Sequence, residues 1–350
     1  MGLLLYPSDT TLPARLQPAG VSTNIEGSVM RKTFLLTLLA SVLMTATVSC
    51  NRSDMVRIGV VPKAVAHEFW IAVRAGTDEA AKEAGVAIEW QGPSAETEFS
   101  RQIEIVEAMI NSRVDGLVLA PSEATALVSV VERATREGIP VTIFDSGINT
   151  DEYVSFVSSN NYEAGVQAAD KLAEILGRSG KIAVIKNVPG SSSTMERERG
   201  FEEALAKNYP RIEIVDFKYC QSDRALALAA AENMLTAHPD LDGMFTSAEP
   251  ATVGASTALR NRELVDQVKL VGFDWTDTLE SDFREGVISA LVVQDPFEIG
   301  RRAVQTVLTA LRGETPPKRI DTKTHVVTMD NINSPEIEAV LRIDLDDYLQ

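Results

Sequence analysis

From Val56 onward the chain repeats one unit, a short and almost unbroken apolar run followed by a stretch with helical periodicity. Val56-Arg57-Ile58-Gly59-Val60-Val61 leads to a helical pattern from about His67 that stops at Gly85. Val86 to Trp90 precedes a helix over 98–112, Gly116 to Ala120 precedes one over 123–137, and Pro140 to Phe144 follows. Continuous apolar strands alternating with helices form a parallel sheet covered on both faces, since a half-exposed sheet would alternate polar and apolar residues instead. Glycines after helices and Asp or Pro before strands agree with that division.

The pattern then restarts. Ile182 to Ile185, Glu213 to Val215, Gly243 to Phe245 and Lys269 to Phe273 read as strands. Helical segments fall near 161–176, 196–207, 224–236 and 252–260. A chain of 350 residues is long enough for two cores, so two doubly wound lobes fit better than one very wide sheet. No low-complexity linker separates the halves, which points to hinge strands passing between them. The expected organisation is residues 55–158 plus about 295–322 in an N-terminal lobe, and 159–294 plus about 323–350 in a C-terminal lobe.

Ligands of such sheets lie beyond the carboxyl ends of the strands. The residues there are Lys63, His67, Phe69 and Trp70, then Ser122-Glu123 and Asp145-Ser146. In the second half they are Gly190 to Arg197, Ser222, Ser247 to Glu249, Asp274-Trp275 and Gln294. Carboxylates, amides and guanidinium groups bridge neighbouring hydroxyls, and aromatic faces cover the C–H side of a sugar ring. One of Phe69 and Trp70 is expected in the core. The loop Gly190 to Thr194 precedes a helix but lacks the lysine and glycine spacing of a phosphate loop, and reads as a flexible lead-in to Arg197.

The start of the chain resembles a targeting segment. Residues 1–29 are turn-rich and aperiodic, and are set aside as disordered or as an over-extended start. Residues 30–50 combine a basic Arg31-Lys32 with an apolar stretch ending Thr47-Val48-Ser49-Cys50, which resembles a signal peptide with a lipobox, making Cys50 the lipidation site. Cys220 is then without a partner and reads as a small buried hydrophobe. His67, His238 and His325 are scattered, so no metal site is expected. A net charge of −17 argues against a nucleic-acid surface.

Over the mature region the chain resembles the ribose/galactose-type, or type I, periplasmic binding proteins that serve ABC importers. The matching stretches include Glu68-Phe69-Trp70, Gly116 to Pro121, Ile139 to Asp145, Ser159-Asn160-Asn161 with Ala164-Gly165, Arg197 to Phe201, Leu235 to Asp240, Val271 to Asp274, and Gln294 with Ile299-Gly300. The resemblance implies a two-lobed receptor for a sugar or polyol, without cofactor or catalysis. Such a receptor is monomeric, periplasmic or at the cell envelope, and hands its ligand to an ABC permease in the inner membrane. It implies a ring-covering role for Phe69 and Trp70, a hydroxyl-bridging role for Asp145, and hydrogen bonding by Arg197, Asp274 and Gln294, with Asn161 and Trp275 beside them. The chain also departs from the pattern. Lys63 and His67 replace small hydroxyl or amide residues, Ser146 stands for an arginine, Ser222 for an aromatic residue, and Ala248, next to Glu249, for an asparagine. An unpaired ligand hydroxyl costs about 1–3 kcal/mol, so another pentose, a hexose, a polyol or a cyclitol is expected rather than plain ribose. A sensor feeding a chemoreceptor or kinase would share the same pocket. A repressor of this fold would carry a basic helix-turn-helix where this chain has an apolar segment.

Overall fold

The computed structural model describes residues 55–342. Residues 1–29, the signal-like segment over 30–50 and Cys50 lie outside the described residues. The chain forms two six-stranded sheets. The first contains β1 (Arg57–Val61), β2 (Ala87–Trp90), β3 (Gly116–Leu119), β4 (Val141–Phe144), β5 (Ser155–Ser159) and β11 (Arg319–Thr322), ordered β11-β5-β4-β3-β1-β2. The second contains β6 (Gly180–Lys186), β7 (Ile212–Tyr219), β8 (Gly243–Thr246), β9 (Lys269–Phe273), β10 (Ala290–Gln294) and β12 (Thr324–Val327), ordered β12-β10-β9-β8-β6-β7. Every pairing is parallel except β10 with β12. The two sheets share one strand order, and β1, β4 and β5 of the first correspond to β6, β9 and β10 of the second. The two doubly wound lobes expected from the sequence are therefore the architecture.

Helices α1 (Glu68–Ala84), α2 (Phe99–Asn111), α3 (Val128–Arg136), α4 (Asn161–Ile175), α5 (Ser192–Asn208), α6 (Arg224–Ala237), α7 (Glu249–Asn261), α8 (Asp277–Arg284), α9 (Pro296–Leu311) and α10 (Pro335–Leu341) cover the sheets. Each sheet has apolar side chains on both faces, and each lobe holds two clusters of buried residues. The chain passes from one sheet to the other after β5, after β10 and between β11 and β12. The outer two passages touch, with Ser159 Oγ 3.2 Å from Thr322 Oγ1.

One helix crossing in each lobe is set by reciprocal glycines. A Cβ on Gly76 of α1 would lie 2.0 Å from the Phe297 carbonyl oxygen, and one on Gly300 of α9 would lie 2.2 Å from that of Val73. In the second lobe a Cβ on Gly165 of α4 would meet the Arg197 carbonyl oxygen at 2.0 Å, and one on Gly200 of α5 that of Tyr162 at 2.0 Å. Backbones approach so closely only where neither residue carries a side chain.

Two element boundaries differ from expectation for tertiary reasons. The helix expected over 123–137 begins only at Val128, because Glu123 Oε2 accepts the N–H groups of Thr125 (2.8 Å) and Ala126, and Ala124 N–H donates to the Gly190 carbonyl (3.1 Å). Conversely, the expected flexible lead-in to Arg197 is already helical from Ser192, where Ser193 N–H donates to Ser146 Oγ of the first lobe at 3.1 Å. Cys220 is buried, 3.7 Å from Asn187 Oδ1, and burial pushes its thiol up to about 11. Among the described residues, no helix is long and apolar enough to cross a membrane.

Candidate functional site

The carboxyl ends of both sheets face one cleft, lined by residues of both. The first lobe contributes Lys63 beyond β1, His67, Phe69 and Trp70 at the start of α1, Glu96 before α2, and Asp145 beyond β4. The second contributes Asn187 beyond β6, Ser193, Thr194 and Arg197 on α5, Ala248, Glu249 and Pro250 at the start of α7, and Asp274 beyond β9. Gln294 ends β10 at the passage between lobes.

Asp145 and Asp274 follow equivalent strands and adopt the same unusual backbone. Their φ angles are 56° and 72°, a left-handed conformation that non-glycine residues reach with strain. Each is anchored by its own N–H to the next strand, Asp145 to the Val157 carbonyl at 2.9 Å and Asp274 to that of Val292 at 3.0 Å. The kink turns both carboxylates off the sheet and into the cleft. Their partners differ. Asp145 Oδ2 lies 2.7 Å from Lys63 Nζ, with both side chains buried. Asp274 accepts from neutral donors, Gln294 Nε2 at 2.8 Å and Glu249 N–H at 3.0 Å. Burial raises the Asp274 carboxyl above its ordinary range, and the nearby Arg197 opposes that shift.

Arg197 is held rigidly. Its Nε donates to Asn161 Oδ1 (2.8 Å), its Nη1 to the Ser247 carbonyl (2.9 Å), and its guanidinium lies 4.5 Å from the centroid of the Phe273 ring. Glu249 sits between the lobes, paired with Arg224 of α6 and 3.6 Å from His67 Nδ1. The Glu249 carboxylate beside it raises the His67 pKa above its ordinary value, against an opposing effect of burial. Glu249 Oε2 and Gln294 Oε1 are buried without a hydrogen-bond partner among the described residues. Glu198, behind Arg197, is pushed up to about 6 by burial, although Ser247 Oγ (2.8 Å) and Asn187 N–H (3.2 Å) donate to it.

Trp70 is the core member of the aromatic pair, 2% exposed, with its indole N–H donating to Glu96 Oε1 at 3.2 Å. Phe69 is half-buried and meets Trp70 edge to face, centroids 5.0 Å apart. Of the residues singled out from the sequence, Lys63, His67, Phe69, Trp70, Asp145, Arg197, Glu249, Asp274 and Gln294 line the cleft together. Four stand beside it. Ser146 and Asn161 support Ser193 and Arg197 from behind. Ser222 is buried at a left-handed turn, φ 56°. Trp275 lines a neighbouring groove and packs edge to face on Phe283 at 5.8 Å. Sequence reasoning passed over Glu96 and Asn187. Asn187 was findable, because it follows β6 much as Lys63 follows β1. Glu96 was not, since its spacing to Trp70 carries no periodic signal.

A family model described as periplasmic binding protein domain matches residues 58–315. The ribose import binding protein of Escherichia coli (strain K12) is 29% identical over 283 residues, covering 80% of this chain and 93% of its own. An ABC transporter solute-binding protein from Agrobacterium vitis with bound D-fucose superposes with a TM-score of 0.80 at 36% identity, covering 82% of this chain and 100% of its own. A carbohydrate transporter solute-binding protein from Agrobacterium radiobacter in complex with D-arabinose does so with a TM-score of 0.80 at 32% identity, covering 82% and 99%.

Proposed function

The chain belongs to the periplasmic binding protein domain family, and from that premise we propose that it is an exported receptor that closes two lobes around a neutral sugar or sugar-like polyol. It then delivers that ligand to an ABC permease, and Cys50 anchors it to the membrane through lipid. The observation that carries the ligand class is a set of buried acceptors lining the cleft, Asp145 Oδ2, Glu249 Oε2 and Gln294 Oε1, that accept no hydrogen bond among the described residues. A buried acceptor left bare costs about 1–3 kcal/mol, and ligand hydroxyls supply the missing donors.

Charge bookkeeping favours a neutral ligand. The carboxylates of Glu96, Asp145, Glu249 and Asp274 are met by Lys63, Arg197, Arg224 and a His67 held towards its protonated form. Each carboxylate thus already has a cation or hydrogen-bond donor of the protein beside it, which favours a neutral ligand over an ionic one. The relatives named for ribose import and crystallised with D-fucose or D-arabinose bind neutral monosaccharides. Lys63, Ser146 and Ala248 differ from the ribose-receptor pattern, which favours a sugar other than ribose. Ligand that binds the closed form better than the open form shifts the population towards closure, and the permease reads the closed shape.

The test is a thermal-shift screen of the mature protein against pentoses, hexoses, 6-deoxyhexoses, polyols and sugar acids, with membrane fractionation of expressing cells to read the anchor. A ligand at about 100 times its Kd adds about 2.7 kcal/mol of stability. A neutral sugar or polyol is expected to give the largest shift. A response to sugar acids alone, or to nothing in the panel, overturns the reading.

A further inference from the structure

Lys63 is 2% exposed, and its ammonium has three partners. Asp145 Oδ2 lies at 2.7 Å on its own lobe, while Ser193 Oγ at 2.8 Å and Ser191 Oγ at 3.1 Å belong to the other lobe. An ammonium group has three hydrogens and no acceptor; two serve the serine hydroxyls of the other lobe, and the ion pair with Asp145 occupies the side facing its own lobe. Beside it, Ser193 N–H donates to Ser146 Oγ, the residue next to Asp145. The three serines are themselves buried.

We infer that Lys63 is a positioning residue that couples Asp145 to lobe closure, rather than a group that contacts the ligand. Closure drives the Asp145 carboxylate out of water. An unpaired carboxylate opposes that step, because burying a lone charge costs far more than burying a paired one. The ammonium neutralises Asp145 in both forms and gains the two serine hydroxyls only when the lobes meet. It thereby favours the closed form and holds one carboxylate oxygen of Asp145, so that the carboxylate meets the ligand in a fixed orientation. The inference rests on reading the cleft as a ligand site between lobes that open and close.

The experiment compares the wild type, Lys63→Met and the double variant Lys63→Met/Asp145→Asn by calorimetry with D-arabinose, D-fucose and the strongest neutral sugar of the thermal screen. Small-angle scattering is recorded without sugar and at saturation, and circular dichroism checks that each variant is folded. Lys63→Met is expected to lose on the order of a hundredfold in affinity and to be less compact than the wild type with and without sugar. Removing the charge of Asp145 as well is expected to restore compaction and about tenfold of the affinity. A Lys63→Met variant that binds weakly but compacts normally, with no recovery in the double variant, makes Lys63 an ordinary ligand contact and overturns the inference. Identical sugar-free scattering of the wild type and Lys63→Met also overturns it, independently of which ligand the protein takes.

Discussion

The two lobes place the same dipeptide at the same point, Phe144-Asp145 at the end of β4 and Phe273-Asp274 at the end of β9, and give it different surroundings. In both, the phenylalanine is buried and the aspartate takes a left-handed backbone that aims its carboxylate at the cleft. In the first lobe the carboxylate meets a buried lysine directly. In the second the cation, Arg197, stacks over the phenylalanine instead, and the carboxylate is satisfied by Gln294 and a helix N–H. Local geometry is thus repeated while electrostatics is not. The first lobe carries a charge pair that also touches the other lobe. The second carries a rigid hydrogen-bonding frame in which the carboxylate accepts from neutral donors.

The helix crossings break the symmetry most severely. Gly165→Ala and Gly76→Ala each drive a Cβ into a carbonyl oxygen, and both are expected to destabilise the protein by about 3 kcal/mol, read by urea denaturation. They differ in their reach. The oxygen met by Gly165 belongs to Arg197, so Gly165→Ala is expected to weaken sugar binding in calorimetry at temperatures where it remains folded. Gly76→Ala pushes on Phe297, beyond the hinge passage, and is expected to leave affinity within about twofold. Equal losses of affinity would mean that the Arg197 frame is not what the second lobe contributes.

The same substitution at the paired aspartates sharpens the electrostatic half of the comparison. Asn tolerates the left-handed backbone, so Asp145→Asn and Asp274→Asn test charge with little added strain. Asp145→Asn leaves Lys63 without its counter-charge and is expected to cost about 3 kcal/mol of binding. Asp274→Asn keeps an acceptor for neutral donors and is expected to cost about 1 kcal/mol. Calorimetry that ranks them the other way removes Lys63 from the account.

The smallest effect is a pH dependence. His67 of the first lobe has a raised pKa chiefly through Glu249 of the second, so closure favours its protonated form. That contribution is complete below the ordinary value of 6.5 and is lost as pH rises through the raised value. Sugar affinity is therefore expected to fall modestly from pH 6 to pH 9, and His67→Gln is expected to flatten the profile. A wild-type profile already flat across that range separates His67 from closure.

Much of this was legible in the chain. Continuous apolar strands and helix-length intervals give a doubly wound sheet, and their restart at Ile182 gives a second one, because sheet burial on both faces leaves no other pattern. Strand ends then nominate Asp145, Asp274, Arg197 and Gln294, since those ends must face the cleft. Other features depended on neighbours distant in sequence. Trp70 rather than Phe69 is the core residue because Glu96 supplies a partner for its indole. Trp275 follows Asp274 yet turns away from the cleft, because Phe283 of α8 is there to receive its ring. The helix after Ser191 begins early because a serine of the other lobe satisfies one of its first amides.

The sequence alone determined the number of lobes, their sheet type and the end of each sheet that carries function, because hydrophobic periodicity and strand direction are local properties. It did not determine which charge faces which. Lys63 and Ser193 lie far apart in the chain, and only the packing of the two lobes brings the lysine, buried, against Asp145 of one lobe and two serines of the other. Coulombic and hydrogen-bonding terms depend on distance and desolvation, and both are fixed only when the lobes come together.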